Sequence, residues 1–338
     1  MNLIWQEFLE ASGARIDGQL VTDFGDPAAE WAAAGAGTIV APLTHLALIE
    51  VAGPDAETFL HNQLTSDVRH LAHDAIQHSA WCSAKGRMLA SFLVFRSGPD
   101  YDLQLSADLL TTIQKRLQMF VLRSQVVFAE RSSCCELIGL SGPQAANALL
   151  TLGLPVPGQA LRTAAFESGI VLRLDESRLQ VVVERRAAAS LWQGLRAQAC
   201  PVGTTVWQWL DIQAGIPLIG ARTTEEFVPQ MMNFERLGGV SFRKGCYPGQ
   251  EVIARTQYLG KVKRHLYRVH SASPMAAGNA IYSPASPAHP CGMVANAAPA
   301  PAGGYDALAV VQETFAACGD LELATPGGPQ LELRVLDG

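Results

Sequence analysis

The sequence is poor in what a metal centre, a disulfide framework or a membrane span would need. It contains no C-x-x-C, and its seven cysteines (82, 134, 135, 200, 246, 291 and 318) make an odd number with no secretion signal, which argues against a disulfide framework. Zinc and iron–sulfur centres draw at least two ligands from a short spaced cluster, a geometry the adjacent Cys134 and Cys135 do not offer readily, so no resident metal is expected. His61, His70, His73 and His78 remain as ligand candidates, since His70 and His73 can share a helical face, but they read better as polar residues around a loop or helix end. No apolar run reaches transmembrane length, and the N-terminal MNLIWQEFLEAS carries Glu7 and Glu10 where a secretory leader has a basic region. The expected location is the cytoplasm, with no membrane partner. Positive charge is short as well: 25 Lys and Arg against 31 Asp and Glu leave a net charge of -6, which excludes wholesale attraction to nucleic acid or anionic membrane.

What is present is core and repetition. With 49% hydrophobic and 17% charged residues over 338 positions, the chain has material for two or three domains. LIEVAGPDAETFL (48–60) and LIGLSGPQAANAL (137–149) share Leu-Ile, an apolar residue, Gly-Pro, Ala and a final Leu at the same spacing. Each reads as a buried strand, a glycine turn and a helix begun by proline at its first position. Downstream, YDLQLSADLLTTIQKRLQMF (101–120) and LQVVVERRAAASLWQGLRAQ (179–198) are both alternating strands followed by helices with apolar residues three and four apart. SAWCSAKGRMLASFLVF (79–95) and AAFESGIVLRL (164–174) supply strand-like runs between the helices. The expectation is two related split β-α-β domains, residues 1–130 and 131–210.

After Tyr258 the helical period disappears. KVKRHLYRVHSASP, GNAIYSP, CGMVANAA, ALAVVQETF and LELRVLDG are short strand-like runs cut by Pro and Gly, so residues 259–338 read as a small antiparallel β-barrel. The intervening stretch, 211–258, holds few regular elements, and long ordered connections of that kind tend to be functional.

RKGCYPGQE (243–251) stands out within it. Arg243, Lys244, Arg255, Lys261, Lys263 and Arg264 form a basic band that reads either as an exposed strand pair or as a cradle for a carboxylate or phosphate tail. Cys246 is either an inert filler at a bend or a thiol whose thiolate the flanking cations favour. Gly245 and Gly249 permit close backbone approach, and Tyr247 offers a flat face beside the thiol. Composition leaves both readings open.

The longer string GGVSFRKGCYPGQEVIARTQYLGKVKR resembles the signature of the YgfZ-type folate-binding proteins, relatives of the glycine-cleavage aminomethyltransferase (T-protein) that are tied to iron–sulfur cluster assembly and repair. In that signature K-G-C-Y-x-G-Q-E precedes an Ala-Arg pair and a basic strand; Lys244 to Glu251, Ala254, Arg255 and Gly260 match. PLTHLALIEVAGPDAETFLHNQLTSDV (42–68) is similar to the family's opening and AGIPLIG (214–220) to its central turn, so the resemblance covers most of the chain. It implies an α+β fold of three domains in a cloverleaf around a central channel that holds tetrahydrofolate or a one-carbon derivative. It further implies Cys246 and Lys244 as catalytic residues, Gln213, Tyr247, Gln250, Glu251 and Arg255 as cofactor-binding residues, and the 222–233 connection near the pterin.

Two departures narrow the function. Where T-proteins carry a Gly-Gly-x-x-Asp-Asp-like stretch, KGRMLAS (85–91) places Ala90 and Ser91, so aminomethyl transfer loses a charged participant. The glutamate those enzymes hold near the pterin is Gln213 here, which can hydrogen-bond but cannot form a charge-assisted pair. The expected function is therefore a tetrahydrofolate-binding accessory protein for iron–sulfur cluster assembly or repair, with assembly or client proteins as partners. A folate-dependent aminomethyl or other one-carbon transferase and a tRNA-modification factor are the alternatives. The acidic balance, without interleaved aromatic and basic residues, argues against direct nucleic-acid binding.

Overall fold

The computed structural model describes residues 2–258, 260–334 and 336. Leu259, at the expected start of the barrel domain, and Val335, Asp337 and Gly338 of its last strand-like run lie outside the described residues. By contacts the chain divides into two compact units, the first from residues 1–57, 70–77 and 93–207 and the second from 58–69, 78–92 and 208–338. Among the described residues no helix is long and apolar enough to cross a membrane.

The repeat legible in the sequence is a structural repeat. The strands Leu46–Ala52 and Cys135–Ser141 each end in a glycine of left-handed backbone, Gly53 at φ 113° and Gly142 at φ 114°. A Cβ on either would fall on a backbone carbonyl, 2.3 Å from Gln125 O or 2.0 Å from Gly37 O, so glycine is required by conformation and by space. The turn that follows closes identically, Ala56 N–H on Gly53 O and Ala145 N–H on Gly142 O, both at 3.1 Å. The helices Ala56–Gln63 and Ala145–Thr151 therefore start two residues beyond the proline rather than at it; Pro54 and Pro143 sit inside the turn.

Each copy pairs its first strand antiparallel with the alternating strand downstream, Leu46–Ala52 with Asp100–Ser106 and Cys135–Ser141 with Arg178–Glu184. A helix follows each, Leu110–Gln118 and Arg185–Arg196. In the latter, Ala188, Trp192 and Leu195 are buried at intervals of four and three, the spacing of one helical face. Trp192 joins Trp5 edge-on at 6.1 Å, so the N-terminal helix Leu3–Ala11 packs into the core of the second copy. Gln104 and Gln180, one from each alternating strand, are buried and join their amides across the two copies, Gln104 Nε2 donating at 3.3 Å and Gln180 Nε2 donating in return.

The copies also exchange flanking strands. Ile39–Pro42 precedes the first copy yet pairs with Cys135–Ser141 of the second, whereas Val127–Glu130, which leads into the second, pairs with Leu46–Ala52 of the first. The resulting sheets have six and five strands.

In the second unit, Arg264–Ser271, Tyr305–Gln312, Gly292–Pro299, Ala280–Tyr282, Leu321–Leu323 and Gln330–Arg334 close, in that order, into an antiparallel barrel around Val269, Ile281, Val294 and Val311. With the two sheet-and-helix copies this completes the α+β architecture read from the sequence. The connecting stretch contains the end of the helix Thr204–Gln213, a 3₁₀ turn at Pro229–Met232 and the helix Gln250–Tyr258, so Ala254 and Arg255 are helical and the basic strand starts only at Arg264.

Candidate functional site

The second glycine of the KGCYPGQE motif is explained by close packing. Gly249 has φ 80°, and a Cβ there would stand 2.4 Å from Ser83 O and 2.8 Å from Gly86 Cα. The tight turn of AKGR, closed by Ser83 N–H on Arg87 O at 2.8 Å, therefore seats directly on the start of the Gln250–Tyr258 helix. Tyr247 is buried beneath this contact, and burial pushes its hydroxyl pKa up.

Lys244 and Cys246, two residues apart, have opposite fates. Lys244 is 8% exposed and its ammonium donates to three backbone carbonyls: Leu64 O at 2.6 Å, Ser66 O at 3.0 Å and, closer still, His61 O. These carbonyls lie at and just beyond the C-terminal turn of Ala56–Gln63, where a helix leaves oxygens unsatisfied and presents the negative end of its dipole. The ammonium also lies 5.0 Å from the centroid of the Tyr247 ring. Burial lowers the lysine pKa to about 8. Cys246 is exposed, and among the described residues no hydrogen bond joins it to Lys244. The cation that the sequence suggested for a Cys246 thiolate is thus directed at a helix end.

Gly245, between them, faces a histidine. His61 is 4% exposed, its Nδ1 lies 3.1 Å from Asp67 Oδ1, and its Nε2 would be 3.8 Å from a Cβ on Gly245. Burial and the Lys244 charge lower its pKa while Asp67 opposes them, which keeps the imidazole neutral near pH 7. The sequence reading treated His61 as a helix-end histidine; its neighbour Asp67, from the same TSDV stretch, it did not single out.

Ser91, where T-proteins would carry a carboxylate, is buried, and its Oγ accepts the Ile219 N–H at 2.9 Å. The segment that follows Ile219 runs beside the strand holding Ser91: Thr224 Oγ1 donates to Leu89 O at 2.9 Å, and Met88 N–H donates to Phe227 O at 2.8 Å. Ser91→Ala leaves the buried Ile219 N–H without an acceptor and is expected to cost ~1–2 kcal/mol, read as a lower midpoint in denaturant melts.

Gln213 is placed by the barrel. It lies one helical turn after Trp209, and both donate to Asp306 Oδ2, Trp209 Nε1 at 2.8 Å and Gln213 Nε2 at 3.0 Å. Arg268 donates back to Gln213 Oε1 at 2.8 Å. His270, cross-strand from Asp306 in the barrel register, meets its other oxygen at 2.8 Å. The turn Pro229–Met232 packs against the strand of Arg268, and two buried atoms there have no hydrogen-bond partner among the described residues, Gln230 Oε1 and Arg268 Nε. Arg268 Nε is an idle donor beside the Gln213 amide, a pairing able to meet the carbonyl and ring nitrogen of a pterin, while Gln230 Nε2 donates to Ile253 O at 2.7 Å on the Gln250–Tyr258 helix. Sequence reasoning placed the 222–233 connection here but missed Arg268, Asp306 and His270, which look like any polar residues on a barrel strand.

The remaining expected residues lie on the helix after the motif. Gln250 is half-buried at its start, while Glu251 and Arg255 are exposed and line, with Gly260 and Lys261, a shallow groove of about 360 Å³. The structure therefore groups Lys244, Cys246, Tyr247, Gln250, Glu251 and Arg255 on one continuous stretch and places Gln213 among barrel residues.

Residues 23–244 match the model of the GCVT N-terminal domain family. A solved structure of the glycine cleavage system aminomethyltransferase T from Bartonella henselae superimposes with a TM-score of 0.80 over 99% of this chain and 96% of its own, at 19% identity, a likeness of fold. The "tRNA-modifying protein YgfZ" of Yersinia pseudotuberculosis is 33% identical over 242 residues, 71% of each chain. That of Edwardsiella ictaluri is 35% identical over 240 residues, 67% of this chain and 70% of the relative. The chain belongs to the YgfZ family of GCVT-domain proteins.

Proposed function

We propose that the chain binds a reduced folate and acts as an accessory factor in iron–sulfur cluster assembly or repair, through which it supports tRNA modification. The observation that carries this reading is Ser91: the position where aminomethyl chemistry calls for a carboxylate holds a buried hydroxyl engaged by the Ile219 backbone. Binding is retained in this reading and transfer is lost. The relatives are named as tRNA-modifying proteins, which supports a link to tRNA modification. A net charge of -6 favours an indirect link over direct RNA contact.

Gln213 and Arg268 would hold the pterin, using the idle Nε of Arg268 together with the second N–H and lone pair of the Gln213 amide. A reduced folate supplies nitrogens able to carry a one-carbon unit. Arg255 and Lys261 would meet the carboxylates of a glutamyl tail; Lys261 is paired with Glu313 at 3.4 Å but remains 77% exposed, so these contacts are weak and salt-sensitive. Cys246 is an exposed thiol that would meet a client.

Calorimetry and thermal melts with tetrahydrofolate test the proposal. At 100 times its dissociation constant the ligand should stabilise the chain by about 2.7 kcal/mol. No heat and no shift at millimolar folate would sink it, and tight, salt-dependent binding of tRNA without folate would favour a direct RNA role instead.

A further inference from the structure

The first unit carries a pair of thiols in the crossover between the two copies. Cys134 closes the turn Arg131–Ser133, and Cys135 opens the strand Cys135–Ser141. Their sulfurs stand 3.9 Å apart, Cys134 exposed and Cys135 buried. The Cys134 thiol donates to Arg131 O at 3.3 Å. Arg131 sets its guanidinium on the fully buried Asp102 carboxylate, close enough to Cys135 for its charge to act on that sulfur. Cys135 also lines a cavity of about 400 Å³, which gives its side chain room to turn. Among the described residues no group of three or more His, Cys, Asp and Glu side chains could hold a metal ion, so the chemistry open to the pair is that of a dithiol.

One exposed and one buried sulfur suit a two-step oxidation. The exposed thiol meets an oxidant first, whereas the buried one is a poor nucleophile towards free reagents, since burial raises its pKa to about 11 while Arg131 opposes that shift. Position compensates for this: a sulfur 3.9 Å away on the next residue acts with the advantage of an intramolecular reactant. The Arg131 charge then favours the thiolate character that Cys135 gains as it attacks. The product is strained, because adjacent Cα atoms lie about 3.8 Å apart across a trans peptide and disulfides usually need roughly 4.4–6.8 Å. Strained disulfides are readily reduced and belong to the labile, regulatory kind.

We propose that Cys134 and Cys135 form a reversible redox-modification site, in which a peroxide oxidises Cys134 and Cys135 then closes a disulfide between the two neighbouring residues. With hydrogen peroxide, the Cys134 sulfur attacks one oxygen and the O–O bond breaks, giving a sulfenic acid and one water. The Cys135 sulfur next attacks the Cys134 sulfur, the S–O bond breaks, and the hydroxyl leaves with the Cys135 proton as a second water. The two thiols thereby give two electrons to one peroxide. Two molecules of glutathione return them by thiol–disulfide exchange and leave as glutathione disulfide.

The test is mass spectrometry of the full chain after treatment with hydrogen peroxide. Both sulfurs fall on one tryptic peptide, 132–162, because no Lys or Arg lies between Arg131 and Arg162. That peptide is expected to lose the mass of two hydrogens and to regain it fully in millimolar glutathione. Dimedone, which traps sulfenic acids, should mark Cys134 at least about tenfold more in Cys135→Ser than in wild type, where Cys135 intercepts the intermediate. Since Cys135→Ser alters a buried residue, Cys134→Ser, at an exposed position, supplies a second reading and should protect Cys135 from peroxide. No loss of two hydrogens, a Cys134 disulfide joining two chains in its place, equal dimedone labelling of wild type and Cys135→Ser, oxidation of Cys135 in Cys134→Ser at the wild-type rate, or a disulfide that survives glutathione would each overturn the assignment.

Discussion

Replacing Lys244 with methionine is expected to lower the melting temperature by about 10 °C, since the loss of ~3–5 kcal/mol typical of a broken buried charge contact shifts a unit of this size by roughly 2–4 °C per kcal/mol. The cause is local. Methionine fills much of the volume but offers no donor, so the carbonyls of His61, Leu64 and Ser66 lose their partner inside the protein. Asp67 also loses a favourable neighbour. The sign of the pH dependence follows from the pKa. The folded chain gives up the lysine proton near pH 8 and the unfolded chain only near 10.5, so across that window the unfolded state binds more protons and the residue's contribution rises with pH. Below that window both states are protonated and the contribution is flat. The melting gap between wild type and Lys244→Met should therefore widen as pH is raised above 8. A variant that melts within about 2 °C of wild type at neutral pH would show that the three carbonyls do not depend on the ammonium.

The repeat and the barrel were legible in the sequence because both rest on local rules. A glycine forced to positive φ before a proline leaves the same mark in each copy, at Gly53 and Gly142, and short alternating runs cut by Pro and Gly leave their own. The exchange of Ile39–Pro42 and Val127–Glu130 between copies was not legible, since a short flanking strand carries no mark of which sheet it will join. Within the motif, residue types were legible and directions were not. Proximity in sequence made Lys244 a neighbour of the Cys246 thiol, yet the carbonyls that attract its charge come from a segment some 180 residues earlier. Gln213 was singled out for a pterin, but its register with Trp209 and the pairing of His270 with Asp306 give the amide protein partners that only the closed barrel supplies. Gly249 was read as a residue that permits close ligand approach; the close neighbour is the Ser83–Gly86 backbone.

Cys246→Ser is expected to separate function from fold. The thiol is exposed, and the residues that hold the turn in place are its neighbours: Lys244 on the helix end, Tyr247 beneath it and Gly249 against Gly86. Exchanging one exposed sulfur for oxygen removes no buried contact, so melts should stay within about 2 °C of wild type, the scale of surface substitutions of ±0.5 kcal/mol. Tetrahydrofolate heats should also be unchanged, because the proposed pterin contacts lie with Gln213 and Arg268. In cells lacking the protein, however, the variant should fail to restore iron–sulfur enzyme activity if the thiol is what a client meets. Iodoacetamide labelling over time gives an independent control on exposure: Cys246 should react with the exposed Cys134 and Cys318, well ahead of the buried Cys82, Cys135 and Cys291. Burial also raises the pKa of Cys135, to about 11, which holds that thiol in its unreactive form. A Cys246→Ser chain that melts normally and restores the enzyme fully would remove the thiol from the function and leave KGCYPGQE as a packing motif built around Lys244, Tyr247 and Gly249.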